Sequence, residues 1–308
     1  MKKILVTGGA GFIGSHTVDL LLQSGFKVVV LDDLSSGKIT NLDLFNPNLE
    51  FIPGDVLDYP KLLTQVKRAD AVLHLAALPS VAKSIEEPVL SLQINTQGFL
   101  HVLEAVRHAQ KTVRLVYASS AAIYGDTAQL PCRDESLLPT NAVLSPYAMD
   151  KANNERYAAL YANLFGIQSL GLRYFNVYGP RQDPKSSYAG VIAKFIENYK
   201  KREELTILGD GAQSRDFIFV GDIAEANLMA LQSELTGAIN IATGVPETLL
   251  SLVKYIEAAG GSAAQIDFAP ARAGDIRESY ASVKNAEEQL AFKHKTNLAS
   301  GIKLLLNA

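Results

Sequence analysis

The eight residues "TGGAGFIG", from Thr7 to Gly14, constrain this chain more than any other stretch. They follow an apolar run (residues 3–8, KILVTG) and open a segment with helical spacing (residues 12–25). Gly9, Gly11 and Gly14 satisfy G-x-G-x-x-G, and Gly8 adds a further glycine to the turn. Glycine lets a backbone turn sharply and approach a pyrophosphate, whose charge then meets the helix N-terminus. A lone G-x-G-x-x-G is a weak signal. Here strand, turn, helix and second strand fall in order within the first 32 residues. The second run (residues 27–32, KVVVLD) ends at Asp32, eighteen residues after Gly14. A carboxylate there accepts hydrogen bonds from an adenosine ribose and repels a 2′-phosphate, which favours NAD over NADP.

Further strand candidates follow at 49–54, 71–77 and 113–119, with helical patterns between them, the longest from 88 to 110. These strands are continuously apolar, as strands covered on both faces should be. A helix after residue 145 and a sixth strand within 169–179 complete the alternation. It predicts an α/β fold, a doubly wound Rossmann parallel sheet. After Gly179 the pattern loosens. Helices are expected at 188–203, 222–234 and 248–260, short strands at 204–210 and 265–271, and small helical patterns at 283–292 and 299–306. Residues 1–179 are read as a nucleotide-binding domain and 180–308 as a smaller mixed substrate domain. The boundary is soft, because strands of one part can cross into the other.

Bulk properties exclude more than they assign. A chain of 308 residues with 48% hydrophobic content can bury a sizeable core. Net charge is −3 and no basic block appears, which argues against a nucleic-acid partner. The single cysteine, Cys132, cannot form an intramolecular disulfide and fits a reducing compartment. No run approaches the length of a membrane span, and the apolar run at the start is too short for a signal peptide. A cytoplasmic protein without a membrane partner is expected, and no metal-spaced ligand cluster is visible.

The chemistry-bearing stretch is "SPYAMDK", Ser145 to Lys151. Ser145 suits a helix cap and Pro146 the first turn. A helix starting there puts Tyr147 and Lys151 one turn apart on one face. Spacing alone also fits a solvated lysine above a half-buried tyrosine. The fifth strand, however, ends "YASSAAIYG", so Ser119 and Ser120 project toward the crevice where open α/β sheets bind ligands. An unperturbed tyrosine, with a pKa of about 10, is a poor base near neutrality. A nearby ammonium and the positive ring of an oxidised nicotinamide both favour its phenolate. Serine can orient a substrate oxygen, and lysine has three donors for a ribose. His74, inside a strand, reads as a core histidine. Asp55, after the third strand, reads equally as an adenine ligand or a loop carboxylate capping a helix.

Taken together, "TGGAGFIG", "LDDLSSG", "HLAA", "SSAAIYG", "SPYAMDK", "RYFNVYGPRQDP", "GDGAQSRDFIFVGDIA" and "RAGDIRESYA" resemble the extended short-chain dehydrogenase/reductases, specifically the NAD-dependent epimerase/dehydratase branch of nucleotide-sugar enzymes. The resemblance covers nearly the whole chain. It implies NAD held by Gly8, Gly11, Phe12, Ile13 and Gly14, by Asp32, Asp33, Ser36 and Gly37, and by Asp55 and Val56. It adds Leu75, Ala76, Ala77, Asn95, Ser119 and Tyr174, together with Tyr147 and Lys151. Ser120, Tyr147 and Lys151 are the implied catalytic residues. The sugar 4,6-dehydratases carry Thr-Asp-Glu after the fifth strand, where this chain has Ser120-Ala121-Ala122 and so lacks the acids that drive water elimination.

The resemblance therefore implies a 4-epimerase acting on UDP-linked hexoses through a transient 4-keto sugar. Ser120, Tyr147, Asn176, Val191, Arg215, Arg272 and Ser279 are its implied substrate contacts. Arg215 and Arg272 match arginines that grip a diphosphate. Ser279 borders the C2 substituent, where a small residue admits an acetamido group. UDP-glucose and UDP-galactose are expected substrates, with the N-acetylated pair beside them. Family members pair as homodimers through a four-helix bundle, here matched by residues 88–110 and 147–164. The alternatives are another enzyme on the same fold (a UDP-glucuronate 4-epimerase, dehydratase, decarboxylase or reductase) and a non-catalytic NAD-binding regulator.

Overall fold

A computed structural model describes residues 2–126, 129–136, 143–186, 190–271 and 276–307. The first part runs β1 (Lys3–Thr7), α1 (Phe12–Gln23), β2 (Lys27–Asp32), β3 (Leu49–Pro53), α2 (Tyr59–Arg68), β4 (Ala71–His74), α3 (Val81–Glu86), α4 (Pro88–Leu92), α5 (Gly98–Arg107), β5 (Arg114–Ser120), α6 (Pro146–Phe165) and β6 (Ser169–Tyr174). It continues with β7 (Asn176–Tyr178), α7 (Val191–Lys201), β8 (Leu205–Leu208), β9 (Ser214–Phe219), α8 (Val220–Gln232), β10 (Gly237–Ile241) and β11 (Pro246–Thr248). The end comprises α9 (Leu249–Gly260), β12 (Ile266–Ala269), β13 (Glu278–Ser279), α10 (Lys284–Leu290) and α11 (Leu298–Asn307).

Among the described residues, seven strands form one parallel sheet in the order β3-β2-β1-β4-β5-β6-β10. The winding reverses between β1 and β4, which opens a crevice at their carboxyl ends. Leu5 of β1 packs with Leu62, Val66, Phe99 and Leu103 on one face, while Val6 packs with Val18, Leu21, Ile223 and Ala226 on the other. Both faces of β1 are thus covered by helices, which explains why the strands read as unbroken apolar runs. β9 anchors a second, smaller sheet between β11 and β13, with β7 also paired to it, and β8 pairs with β12. Helices α7, α9 and α11 close a separate core around Phe195, Leu252, Ile256 and Ile302.

The differences from expectation are local. The run 169–179 splits at Phe175: β6 stays in the large sheet and β7 joins β9. β10 crosses back from the later half and pairs with β6, while α8 packs on α1. The helix expected over 88–110 is α4, a π turn at Gln93–Gln97 and α5. The helix expected from 188 begins at Val191, and residues 188 and 189 lie outside the described set. Strands β9 and β10 were not anticipated. Among the described residues, no helix is long and apolar enough to cross a membrane.

Candidate active site

The glycine turn forms one wall of a cavity of about 890 Å³ at the crevice. Gly8 has φ +72°, and a Cβ there would lie 2.7 Å from the Ala76 nitrogen. A Cβ on Gly14 would lie 2.1 Å from the Gly8 oxygen, and one on Gly37 would lie 2.8 Å from the Ala10 carbonyl carbon. Three chain segments therefore meet at backbone contact, which no side chain would allow. Gly11 caps α1 without a side-chain hydrogen bond, and the first turn of α1 holds no acidic residue. Its N–H groups are left for an anion. Gly11, Phe12, Ile13 and Gly14 line the cavity here.

At the end of β2, Asp32 accepts from the backbone N–H of Ala10 at 2.9 Å and of Leu34 at 2.8 Å. Burial raises its pKa, and those two bonds oppose the rise. Asp33 and Ser36 line the same wall, and Gly37 packs behind it. Asp55 and Val56 follow β3 into the cavity, where the Asp55 carboxylate accepts from Leu57 N–H at 2.9 Å. Leu75, Ala76 and Ala77 follow β4. A glycine cradle, an uncapped helix end and a buried carboxylate together fit a dinucleotide with a free ribose.

The chemical end lies across the cavity. Ser145 caps α6 through Ala148 N–H at 3.2 Å, and Pro146 occupies the first turn. Ser120 and Tyr147 line the same part of the cavity, and the Ser120 hydroxyl acts on the Tyr147 phenol. The Lys151 ammonium lies 5.8 Å from the Tyr147 ring centroid and donates to the Ala118 carbonyl at 2.9 Å. The sheet supplies Ser120, and the helix supplies Tyr147 and Lys151. Burial raises the Tyr147 phenol, the Ser120 hydroxyl opposes the rise, and the Asp150 charge adds to it. The expected pull of the Lys151 ammonium on the phenol is not found; burial, the Ser120 hydroxyl and the Asp150 charge set its shift. Burial also lowers Lys151 to about 8, with Asp150 opposing.

Other expected contacts are placed less directly. Ser119 borders the cavity, but its hydroxyl donates to Glu155, which forms a two-pronged ion pair with Arg173 at 2.9 and 2.8 Å. Tyr174 lines the cavity while its hydroxyl donates to Asn227 at 2.6 Å. The Asn95 amide is taken up by Leu78, Ser91 and Asp150 and does not line the cavity. His74 is buried and shares a hydrogen bond with Thr7 at 2.8 Å; burial, with the Lys151 charge adding to it, lowers it to about 3. Asn176 and Val191 line the cavity, and Asn176 is exposed. Arg215 and Ser279 face each other in register on β9 and β13, outside the cavity wall. Arg272 lies outside the described residues.

Some lining residues were not singled out. Lys83 and Arg181 reach the cavity, and Ser84 accepts from Tyr147 N–H at 3.1 Å. Arg181 follows the quoted "YGP", a signal that was available. Lys83 and Ser84 belong to a short helix that carried none.

The sequence profile of the NAD dependent epimerase/dehydratase family matches residues 4–242. The chain belongs to this family. A UDP-glucose 4-epimerase of Mycolicibacterium smegmatis is 37% identical, over 97% of this chain and 96% of that protein. A UDP-N-acetylglucosamine 4-epimerase from Methanobrevibacter ruminantium, solved with UDP-N-acetylmuramic acid, superposes with a TM-score of 0.94 at 38% identity. It covers 99% of this chain and 97% of its own. A UDP-glucose 4-epimerase from Thermotoga maritima, solved with UDP-glucose, gives 0.93 at 38% identity with the same coverages. The protein is an NAD-dependent enzyme of the epimerase type, and the glycine cradle and Asp32 are residues suited to hold that cofactor.

Proposed function

We propose that the protein interconverts UDP-hexoses epimeric at C4, both the glucose/galactose pair and the N-acetylglucosamine/N-acetylgalactosamine pair. The observation that carries this is the meeting of Ser120, Tyr147 and Lys151 in one cavity, with Ala121 and Ala122 following Ser120 where an eliminating enzyme needs an acid. The carboxylates lining the cavity, among the described residues, are Asp32, Asp33, Asp55 and Asp183. None belongs to β5 or to the turn after it. Similarity at 38% identity to both a UDP-glucose and a UDP-N-acetylglucosamine 4-epimerase supports the broad substrate class.

NAD, when bound, supplies a hydride acceptor and donor. The residues of this chain do the rest. Tyr147 takes the proton of the C4 hydroxyl and returns it after the 4-keto sugar has presented its other face. Ser120 holds the sugar oxygen and shares that proton. Lys151 holds the nicotinamide ribose and favours the phenolate. Asn176, Val191 and Arg215 bind the nucleotide-linked part, joined by Arg272. Ser279, the register partner of Arg215, leaves room beside C2.

Purified protein incubated without added NAD, with UDP-glucose, UDP-galactose, their 2-acetamido counterparts and UDP-glucuronate, tests the reading. Separation of C4 epimers supports it. Loss of water or carbon dioxide, stoichiometric NADH turnover, or conversion of the glucuronate alone overturns it. Ser279→Tyr fills the C2 space, and overpacking costs about 1–3 kcal/mol. The variant is expected to lose the acetamido pair selectively, and equal loss on all four sugars would remove Ser279 from the C2 pocket. We also propose a homodimer through α4–α5 and α6.

A further inference from the structure

We propose that Asp150 is a positioning residue whose charge sets the pH range over which Tyr147 and Lys151 act together. The proposal rests on the reading of Tyr147 as the proton-transfer group, not on which sugar is bound.

Asp150 is 4% exposed. Its carboxylate accepts from Ser91 Oγ at 2.6 Å, Thr96 Oγ1 at 3.1 Å and Asn95 Nδ2 at 3.3 Å. The π turn at Gln93–Gln97 lets two consecutive residues, Asn95 and Thr96, reach one carboxylate. All three partners donate, which suits an acceptor-only, ionised group. None is a cation. Burying a carboxylate without a paired cation is costly, and an asparagine would fill the same junction with less desolvation. The charge therefore has to be explained by what lies beside it.

Asp150 precedes Lys151 and follows Tyr147 by three residues, so all three sit on neighbouring positions of α6. Among the described residues, it is the one charge that bears on both catalytic groups. It helps the buried ammonium keep its proton and opposes formation of the phenolate. The other elements packed here add little. On α6, Glu155 is neutralised by Arg173 from β6. From β4, His74 is held neutral by burial. From α3, Lys83 has Glu87 at 3.8 Å. The α4 segment and the π turn bring only uncharged donors. On α5, Glu104 pairs with Arg107 near Tyr161, four turns along α6. Tyr117 of β5 is buried with its phenol held well above the usual range.

The test compares Asp150→Asn and Asp150→Ser, which remove the charge with different packing, with Ser91→Ala, which keeps the charge and removes its shortest hydrogen bond. On NAD-bound enzyme, the pH–rate profile and the ultraviolet phenolate titration are recorded, the latter as a difference from Tyr147→Phe. Removing the anion lowers the affinity of both Tyr147 and Lys151 for protons. Both limbs of the profile, and the phenolate signal, are expected to move to lower pH in either neutral variant and to stay in place in Ser91→Ala. Limbs and phenolate that stay in place while kcat or Tm falls would reduce Asp150 to a structural role and overturn the proposal. If no sugar is turned over but the phenolate still moves, the proposed substrate fails and the role of Asp150 stands.

Discussion

At the scale of single residues, the proposed chemistry rests on Ser120, Tyr147 and Lys151, which share the cavity. Tyr147→Phe keeps the ring and removes the hydroxyl proposed to take the proton. Positioned proton transfer contributes roughly 10²–10⁴-fold, so turnover is expected to fall by that order while NAD stays bound, because the glycine turn and Asp32, the residues suited to hold it, are untouched. Cofactor content after gel filtration and initial rates check both halves, and near-wild-type rates would remove Tyr147 from the chemistry. Asp32→Ala needs a more careful readout. The carboxylate also anchors the Ala10 and Leu34 backbone, so loss of NAD affinity alone proves little. The expected outcome is a higher ratio of NADP to NAD binding, because the charge facing a 2′-phosphate is gone. An unchanged ratio by competition titration would move cofactor choice elsewhere. These residues were legible in the sequence because motif spacing fixes them on one turn or one helix face. Ser84 was not legible as a neighbour of Tyr147, nor were Ser91, Asn95 and Thr96 as the donors that hold Asp150. Their roles depend on how α3 and α4 pack on α6, which no local spacing encodes.

At the scale of elements, unbroken apolar runs announced the buried strands, and the caps of α6 announced its start. The interruption of the helix over 88–110 gave no such sign. Its π turn brings Asn95 and Thr96 together on Asp150, a tertiary demand that overrides the regular helical period. The later strands were harder still. β9 is read only through pairing with β7, β11 and β13, and β10 only through β6. The helices flanking α6 also bear on assembly. Val89 is 69% exposed and Leu164 is 62% exposed, with Ile85, Leu92, Leu160 and Phe165 also exposed. The proposed homodimer would cover these exposed apolar side chains of α3, α4 and α6. A stable pair of subunits buries roughly 1,200–2,000 Å² in total. Sedimentation at micromolar concentration is expected to show a dimer, and Val89→Glu with Leu164→Glu is expected to give monomers. A wild-type monomer would sink this proposal.

At the scale of the whole molecule, the large sheet runs across the expected boundary at residue 179, as its softness allowed. Five residues of β10, Gly237 to Ile241, pair with Leu170 to Tyr174, so a cut at 179 turns a buried strand into an edge. The same cut removes α8, whose Ile223, Ala226 and Ala230 cover the sheet beside Val18 and Leu21 of α1. It breaks the Tyr174–Asn227–Thr17 chain of hydrogen bonds, and it strips Arg114 of the carbonyls of Ala230 and Leu235. Fully burying one large aliphatic side chain is worth about 1.5–3 kcal/mol, and a native protein is stable by only about 5–15 kcal/mol. Losing cover from several such side chains at once exceeds that margin. A fragment of residues 1–179 is therefore expected to show no cooperative melt by circular dichroism and no NAD binding, although it carries the glycine turn, Asp32, Ser120, Tyr147 and Lys151. A fragment that melts cooperatively and retains NAD would show that β10 and α8 decorate the nucleotide domain without completing it.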